Sequence, residues 1–181
     1  MEKEGMLNKT VKVEGRTLRT IFLLIQAILA YKFIPLKHGG QKAVHVALLG
    51  IAMVIGAPGI YAIFKFQKET RTSRGMYSLH SWLGLSTIIL FIFQWVIGLC
   101  VFLYPRLPDK RRAIFLPRHK IAGLFIYGIA IFTAVTGFTE KLLLFEVRGL
   151  NQFGAEAMLV NATAVITILF GMFVVLSALL P

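Results

Sequence analysis

The sequence predicts an all-α integral membrane protein, a helical bundle of four full transmembrane helices plus a short fifth one on the N-terminal side. Three observations carry this reading. Of 181 residues, 57% are hydrophobic and the mean hydropathy is +0.75, more apolar than a soluble domain of this length. Charged residues make up only 15% and gather between apolar runs, as in polytopic helical proteins. The runs do not alternate polar with apolar residues, so no spanning β-barrel pattern is visible.

Taken in order, residues 1–20 form a polar tail with interspersed charges. The tail lacks the apolar core of a cleavable signal peptide, which leaves targeting to the first membrane helix. Residues 21–181 then make up one transmembrane domain. Its first segment, 21–34, is apolar but short, with Arg16 and Arg19 just ahead and Lys32 inside its far end. It reads as half of a longer helix, able to span only with bilayer thinning or snorkelling of those side chains. Segments 43–64, 79–103, 121–138 and 157–180 follow, and at ~1.5 Å per residue each comes close to a ~30 Å hydrocarbon core. Turn chemistry separates them: Pro35 with Gly39-Gly40, then 70–75, then Pro105 to Pro108, then 149–154. No low-complexity tract or repeat stands out. Gly50, Gly56, Gly84, Gly98, Gly123, Gly128, Gly137 and Gly171 within the helices allow close backbone approach, the first reading for any one of them, and would also leave room for a flat macrocycle.

The formal charge of +12 does not form one patch. It is divided among the inter-helix and terminal segments, where it meets lipid headgroups or small anions rather than nucleic acid. The linkers after the first and third helices are the more basic, which favours them as cytoplasmic, although the basic N-terminal tail opposes that orientation. Cys100 is the only cysteine, so no intrachain disulfide forms, and its place in an apolar run reads as a small buried hydrophobe.

Chemistry enters with the histidines. His45, His80 and His119 each stand just ahead of an apolar stretch. A histidine at the mouth of a membrane helix is costly and calls for a reason. Neutral imidazole is a common haem-iron ligand, and haem iron is the first candidate for three histidines placed alike. Consecutive membrane helices alternate in direction, so His45 and His119 lie near one face and His80 near the other. One haem with two axial ligands fits between His45 and His119. His80 has no partner of its own, since His38 belongs to the same linker as His45. Interfacial polar residues remain the bland alternative.

The strings Lys42-Ala43-Val44-His45, Tyr77-Ser78-Leu79-His80-Ser81-Trp82-Leu83-Gly84, Leu116-Pro117-Arg118-His119, Thr136-Gly137-Phe138-Thr139-Glu140-Lys141 and Glu156-Ala157-Met158-Leu159-Val160-Asn161, in this order and spacing, resemble the cytochrome b561 family. Its members are ascorbate-dependent transmembrane electron carriers with six helices and two haems b. The resemblance runs from about Ala30 to the C-terminus. It implies that His45 and His119 hold the cytoplasmic-side haem and that His80 is one ligand of the other. The family's His-Pro-x-x-Met pattern would fall near Lys12, where it is absent, and the family's first helix is absent too. The resemblance therefore implies an N-terminally shortened member with one secure haem. A protonated lysine is a poor axial ligand.

For substrates, the resemblance places ascorbate against Lys42 and Arg112, with His38 where a further lysine is usual. Tyr77 and Asn161 match positions near the acceptor site, and Gln67 replaces a usual histidine. The implied activity is that of an ascorbate-dependent transmembrane oxidoreductase of the ferric reductase type, passing one electron to monodehydroascorbate or ferric iron. The expected setting is multi-pass in an endomembrane, vacuolar or similar, or the plasma membrane, and a homodimer is compatible with it. The alternative is a haem-free or single-haem truncated membrane protein with a structural or partner-pairing role.

Overall fold

The computed structural model describes residues 19–20, 22–69, 75–147, 149 and 151–180, and every regular element among them is helical. A short apolar helix, α1 (Phe22–Phe33), is followed by α2 (His38–Glu69). A single 3₁₀ turn (Gly75–Tyr77) leads into α3 (Leu79–Phe102). Then come α4 (Asp109–Val147) and α5 (Ala155–Leu179). Helices α2 to α5 are each long and apolar enough to cross a membrane, whereas α1 is shorter. The chain is thus an integral, multi-pass membrane protein with the four-plus-one arrangement expected. Apolar residues such as Phe93, Ile166, Leu169 and Phe173 are exposed, which in lipid carries no hydrophobic cost.

The helices are longer than the apolar runs. Gly39-Gly40, expected as a turn, lie in the first turn of α2, and Pro58 lies inside it. Helix α4 starts at Asp109 instead of near residue 121. There the Arg112 N–H donates to the Pro108 carbonyl at 3.1 Å, and Asp109 in the first turn complements the positive end of the helix dipole. The basic stretch through Arg112 is therefore helical, and α4 carries Pro117 within it. A proline there forfeits one backbone bond, a loss that neighbouring groups make good in membrane helices. The consequence is a correction to the histidine reading. Only His80 sits at a helix mouth, while His45 and His119 lie inside α2 and α4.

The chain divides into two compact units at residues 75 and 76. In the first, α1 and α2 form an antiparallel hairpin. Gln41 closes it by donating from Nε2 to the carbonyls of Ile34 (3.1 Å) and Tyr31 (3.3 Å), groups that lack intrahelical partners at the end of α1. Gln41→Ala removes that donor from both, the Ile34 carbonyl keeping the Leu36 N–H at 2.8 Å, and is expected to cost about 0.5–1.5 kcal/mol. Thermal unfolding in detergent checks this.

In the second unit α4 packs on both α3 and α5. Ser78 caps α3, its hydroxyl accepting from the Ser81 N–H at 3.2 Å, which is why Tyr77-Ser78-Leu79-His80 reads as a helix start. At the α4–α5 contact a Cβ on Gly171 would lie 3.0 Å from Ile131 Cγ1, so the helices meet through the missing side chain. Cys100 is exposed on α3, contrary to its expected burial, because an apolar run in a membrane helix includes an outward, lipid-facing side.

Candidate functional site: three imidazoles pinned across antiparallel helices

Along the α3–α4 seam, glycine or a small residue on one helix stands opposite a polar side chain on the other. A Cβ added to Gly84 would be 3.6 Å from Thr133 Cγ2, and one on Gly123 would be 3.6 Å from Gln94 Nε2. At the two ends the gaps are filled by imidazoles. A Cβ on Gly137 would lie 2.8 Å from His80 Cε1, and one on Gly98 would lie 3.0 Å from His119 Cε1. Each ring therefore occupies space that any residue larger than glycine would take.

The glycines also open backbone groups to lateral hydrogen bonds. In a helix the carbonyl of residue i is flanked by the side chain of i+4. Gly137 is four residues beyond Thr133, and His80 Nδ1 reaches the Thr133 carbonyl at 2.8 Å. Gly123 is four beyond His119, and Gln94 Nε2 reaches the His119 carbonyl at 2.7 Å. A carbonyl accepts only, so imidazole Nδ1 donates at Thr133 and amide N–H donates at His119.

The α1–α2 hairpin also ties an imidazole to a carbonyl on the neighbouring helix, without a glycine, since the residue four beyond Ala27 is Tyr31. His45 Nδ1 donates to the Ala27 carbonyl at 2.7 Å, and the Tyr31 ring lies against the imidazole with centroids 5.4 Å apart. For His45 and His80 the proton is thereby assigned to Nδ1, leaving the Nε2 lone pair as the metal-binding atom. His119 differs. Its Nδ1 lies 3.0 Å from Gln94 Nε2, and its ring meets Phe102 edge-on at 5.2 Å.

The other expected residues divide into inner and outer groups. Arg112 is two turns before His119 and so shares its face of α4. Its guanidinium pairs with Asp109, while its Nε is buried without a partner among the described residues. Such an orphaned donor is costly unless an acceptor arrives. Lys42 is half-buried near the start of α2. His38 is exposed, and its Nδ1 donates to Gln41 Oε1 at 3.0 Å, so it serves the α1–α2 turn. Tyr77, at the foot of α3, is 85% exposed, and Asn161 is exposed on α5. Lys12 and the Gln67 side chain lie outside the described residues.

Gln94, Thr133 and Ala27 were not visible as site residues. Gln94 carried a signal, since an amide in mid-membrane must find partners or cost several kcal/mol. Ala27 and Thr133 act through backbone carbonyls, which no residue type announces. Among the described residues no three His, Cys, Asp or Glu side chains gather around a common point. A metal bound through these histidines must bring its own equatorial ligands, as a porphyrin does. The singly presented Nε2 atoms of His45 and His80, and the glycine-backed rings of His80 and His119, fit such a group.

Comparison with known proteins agrees with the resemblance. Residues 17–146 match the family of eukaryotic cytochrome b561. The chain is 47% identical over 162 residues to "Probable ascorbate-specific transmembrane electron transporter 1" of Oryza sativa subsp. japonica, covering 89% of this chain and 69% of that protein. It is 45% identical over 153 residues to "Transmembrane ascorbate ferrireductase 1" of Arabidopsis thaliana, covering 84% and 64%. Against "Ascorbate-specific transmembrane electron transporter 1" of Zea mays it is 44% identical over 158 residues, covering 86% and 66%. With its histidines on successive membrane helices and a match over most of its length, the chain belongs to the eukaryotic cytochrome b561 family.

Proposed function

We propose that the protein carries single electrons across a membrane from ascorbate to monodehydroascorbate or ferric iron, using haem b held by His45 and His119. The observation that carries this reading is that His45 Nδ1 is tied to the Ala27 carbonyl, which leaves its Nε2 for iron, while the His119 ring is seated against Gly98 with its Nδ1 held by Gln94. Family membership and the names of the relatives supply the substrate class. Haem b, when bound, supplies an Fe(III)/Fe(II) couple, and two imidazole ligands leave no open position for O₂.

The remaining roles belong to the chain. The family resemblance pairs His45 with His119 and assigns the donor side of that haem to the basic segments of Lys42 and Arg112. Arg112 offers its unpartnered Nε to an anion there, and Lys42 adds a second positive charge. Ascorbate gives up one electron and one proton and becomes monodehydroascorbate. The far-face step, in which monodehydroascorbate regains both or Fe(III) becomes Fe(II) near Tyr77 and Asn161, requires a second carrier at His80 in addition to the haem of His45 and His119. His80 is pinned as firmly as the others but lacks a described histidine partner, so we assign one haem to the chain.

Haem per polypeptide and the absorption change on adding ascorbate, measured on the purified chain in detergent, test this. The expected result is about one haem with a low-spin, ascorbate-reducible spectrum, lost in His45→Ala or His119→Ala. Two haems overturn the single-haem assignment by showing that His80 finds a second ligand. No haem overturns the electron-transfer reading and favours a structural or partner-pairing role.

A further inference from the structure

The α3–α4 hairpin contains an internal correspondence that the sequence does not advertise. On α3 the seam residues are His80, Gly84, Gln94 and Gly98, and on α4 they are His119, Gly123, Thr133 and Gly137. Spacings within the two sets are identical, and His80 faces Gly137 as His119 faces Gly98. The sets differ in one chemically decisive place. Thr133 leaves its backbone carbonyl open to His80 Nδ1 at 2.8 Å. Gln94, its counterpart, puts a side-chain amide beside His119 Nδ1 at 3.0 Å.

That amide is oriented by a second contact. Nε2 of Gln94 is also 2.7 Å from the His119 carbonyl, which accepts only, so the atom facing Nδ1 is a donor rather than the amide oxygen. A donor requires Nδ1 to offer its lone pair, which puts the proton of the neutral ring on Nε2. His45 and His80 have the opposite tautomer by the same reasoning, each giving Nδ1–H to a carbonyl.

We propose that Gln94 is a positioning residue that holds His119 as the Nε2–H tautomer and must turn its oxygen towards Nδ1 before Nε2 can bind iron. This rests on the ligand role given to His119 above. The turn gives up the two contacts of Nε2, to Nδ1 and to the His119 carbonyl, for one hydrogen bond from Nδ1–H to the amide oxygen. His119 thus joins the site by a side-chain rearrangement, whereas His45 and His80 are already set. Once turned, the amide oxygen fixes how much electron density the imidazole donates, and so biases the iron's potential.

The test uses the full chain in detergent with ¹⁵N-labelled histidine, without haem, and NMR of the ring nitrogens assigned by single His→Asn variants. The expected spectrum shows His119 predominantly as Nε2–H and His45 and His80 predominantly as Nδ1–H. In Gln94→Glu a carboxyl oxygen can accept from Nδ1, and the His119 ratio is expected to invert while the other two stay fixed. Gln94→Leu, which removes the amide donor, is expected to lower the Nε2–H fraction as well. Finding His119 already as Nδ1–H in the unaltered chain, or unmoved in both variants, overturns the proposal. With haem loaded, Gln94→Glu is expected to lower the midpoint potential, and an unchanged potential overturns the tuning role. Failure of the chain to bind haem defeats the electron-transfer reading but leaves the tautomer result to decide the amide's orientation.

Discussion

Replacing Gly137 with valine is expected to destabilise the α3–α4 hairpin by about 2–4 kcal/mol, combining overpacking with a lost hydrogen bond. The first atom of the new side chain would lie 2.8 Å from His80 Cε1, inside any tolerable contact. The imidazole is the far end of a side chain, but it cannot simply swing away. Its Nδ1 is tied to the Thr133 carbonyl at 2.8 Å, and leaving that bond strands the Nδ1 donor within the helix pair, while the carbonyl keeps the Thr136 hydroxyl at 2.9 Å. Gly98→Val does the same to His119, whose Cε1 would be 3.0 Å from the new atom. Gly128 supplies the control on the same helix, since a Cβ there meets nothing within 4 Å. Gly128→Val is expected to be near neutral. Thermal unfolding of the three variants decides the matter, and equal losses at all three would show that the glycines serve general helix packing instead of the histidines.

Replacing Arg112 with glutamine is expected to raise the ascorbate concentration needed for half-maximal haem reduction by about 10- to 100-fold. That is the worth of a hydrogen bond to a charged group, about 1.5–3 kcal/mol. Asp109 takes one edge of the guanidinium, yet Nε is buried without a partner among the described residues. A group in that state gains more from an arriving anion than an exposed arginine does, because its side chain is already mostly desolvated. The spectrum obtained with dithionite, which needs no anion site, is expected to be unchanged. Raised salt is expected to weaken ascorbate reduction of the unaltered chain and to affect the variant less. An unchanged ascorbate dependence in Arg112→Gln would remove Arg112 from the donor site.

The comparison of expectation with structure is instructive at particular residues. The apolar run beginning at Leu79 announced the start of α3, and His80 was found near its N-terminus as expected. His119 was misplaced relative to its helix because Asp109 to Arg112 reads as a charged linker. Helix formation needs only backbone bonds and a suitable first turn, so α4 begins well before its apolar stretch does. His38 was expected near the anion site as a weakened substitute for lysine. In the structure it is hydrogen-bonded to Gln41, whose own amide closes α1, a link that depends on a turn fold no residue pattern specifies.

By itself the sequence determined the membrane class, the four spanning segments with a shorter one before them, and the spacing of the histidines. These follow from hydropathy and from helix rise, which are local properties of consecutive residues. Only the tertiary structure decided which nitrogen of each imidazole is tied and to what. His45 reaches back 18 residues to Ala27, His80 reaches forward 53 to Thr133, and His119 meets Gln94 from 25 residues away. Those partners are chosen by the register in which antiparallel helices pack around their glycines. The proton on each ring follows from that register, because a carbonyl can only accept and an amide N–H can only donate.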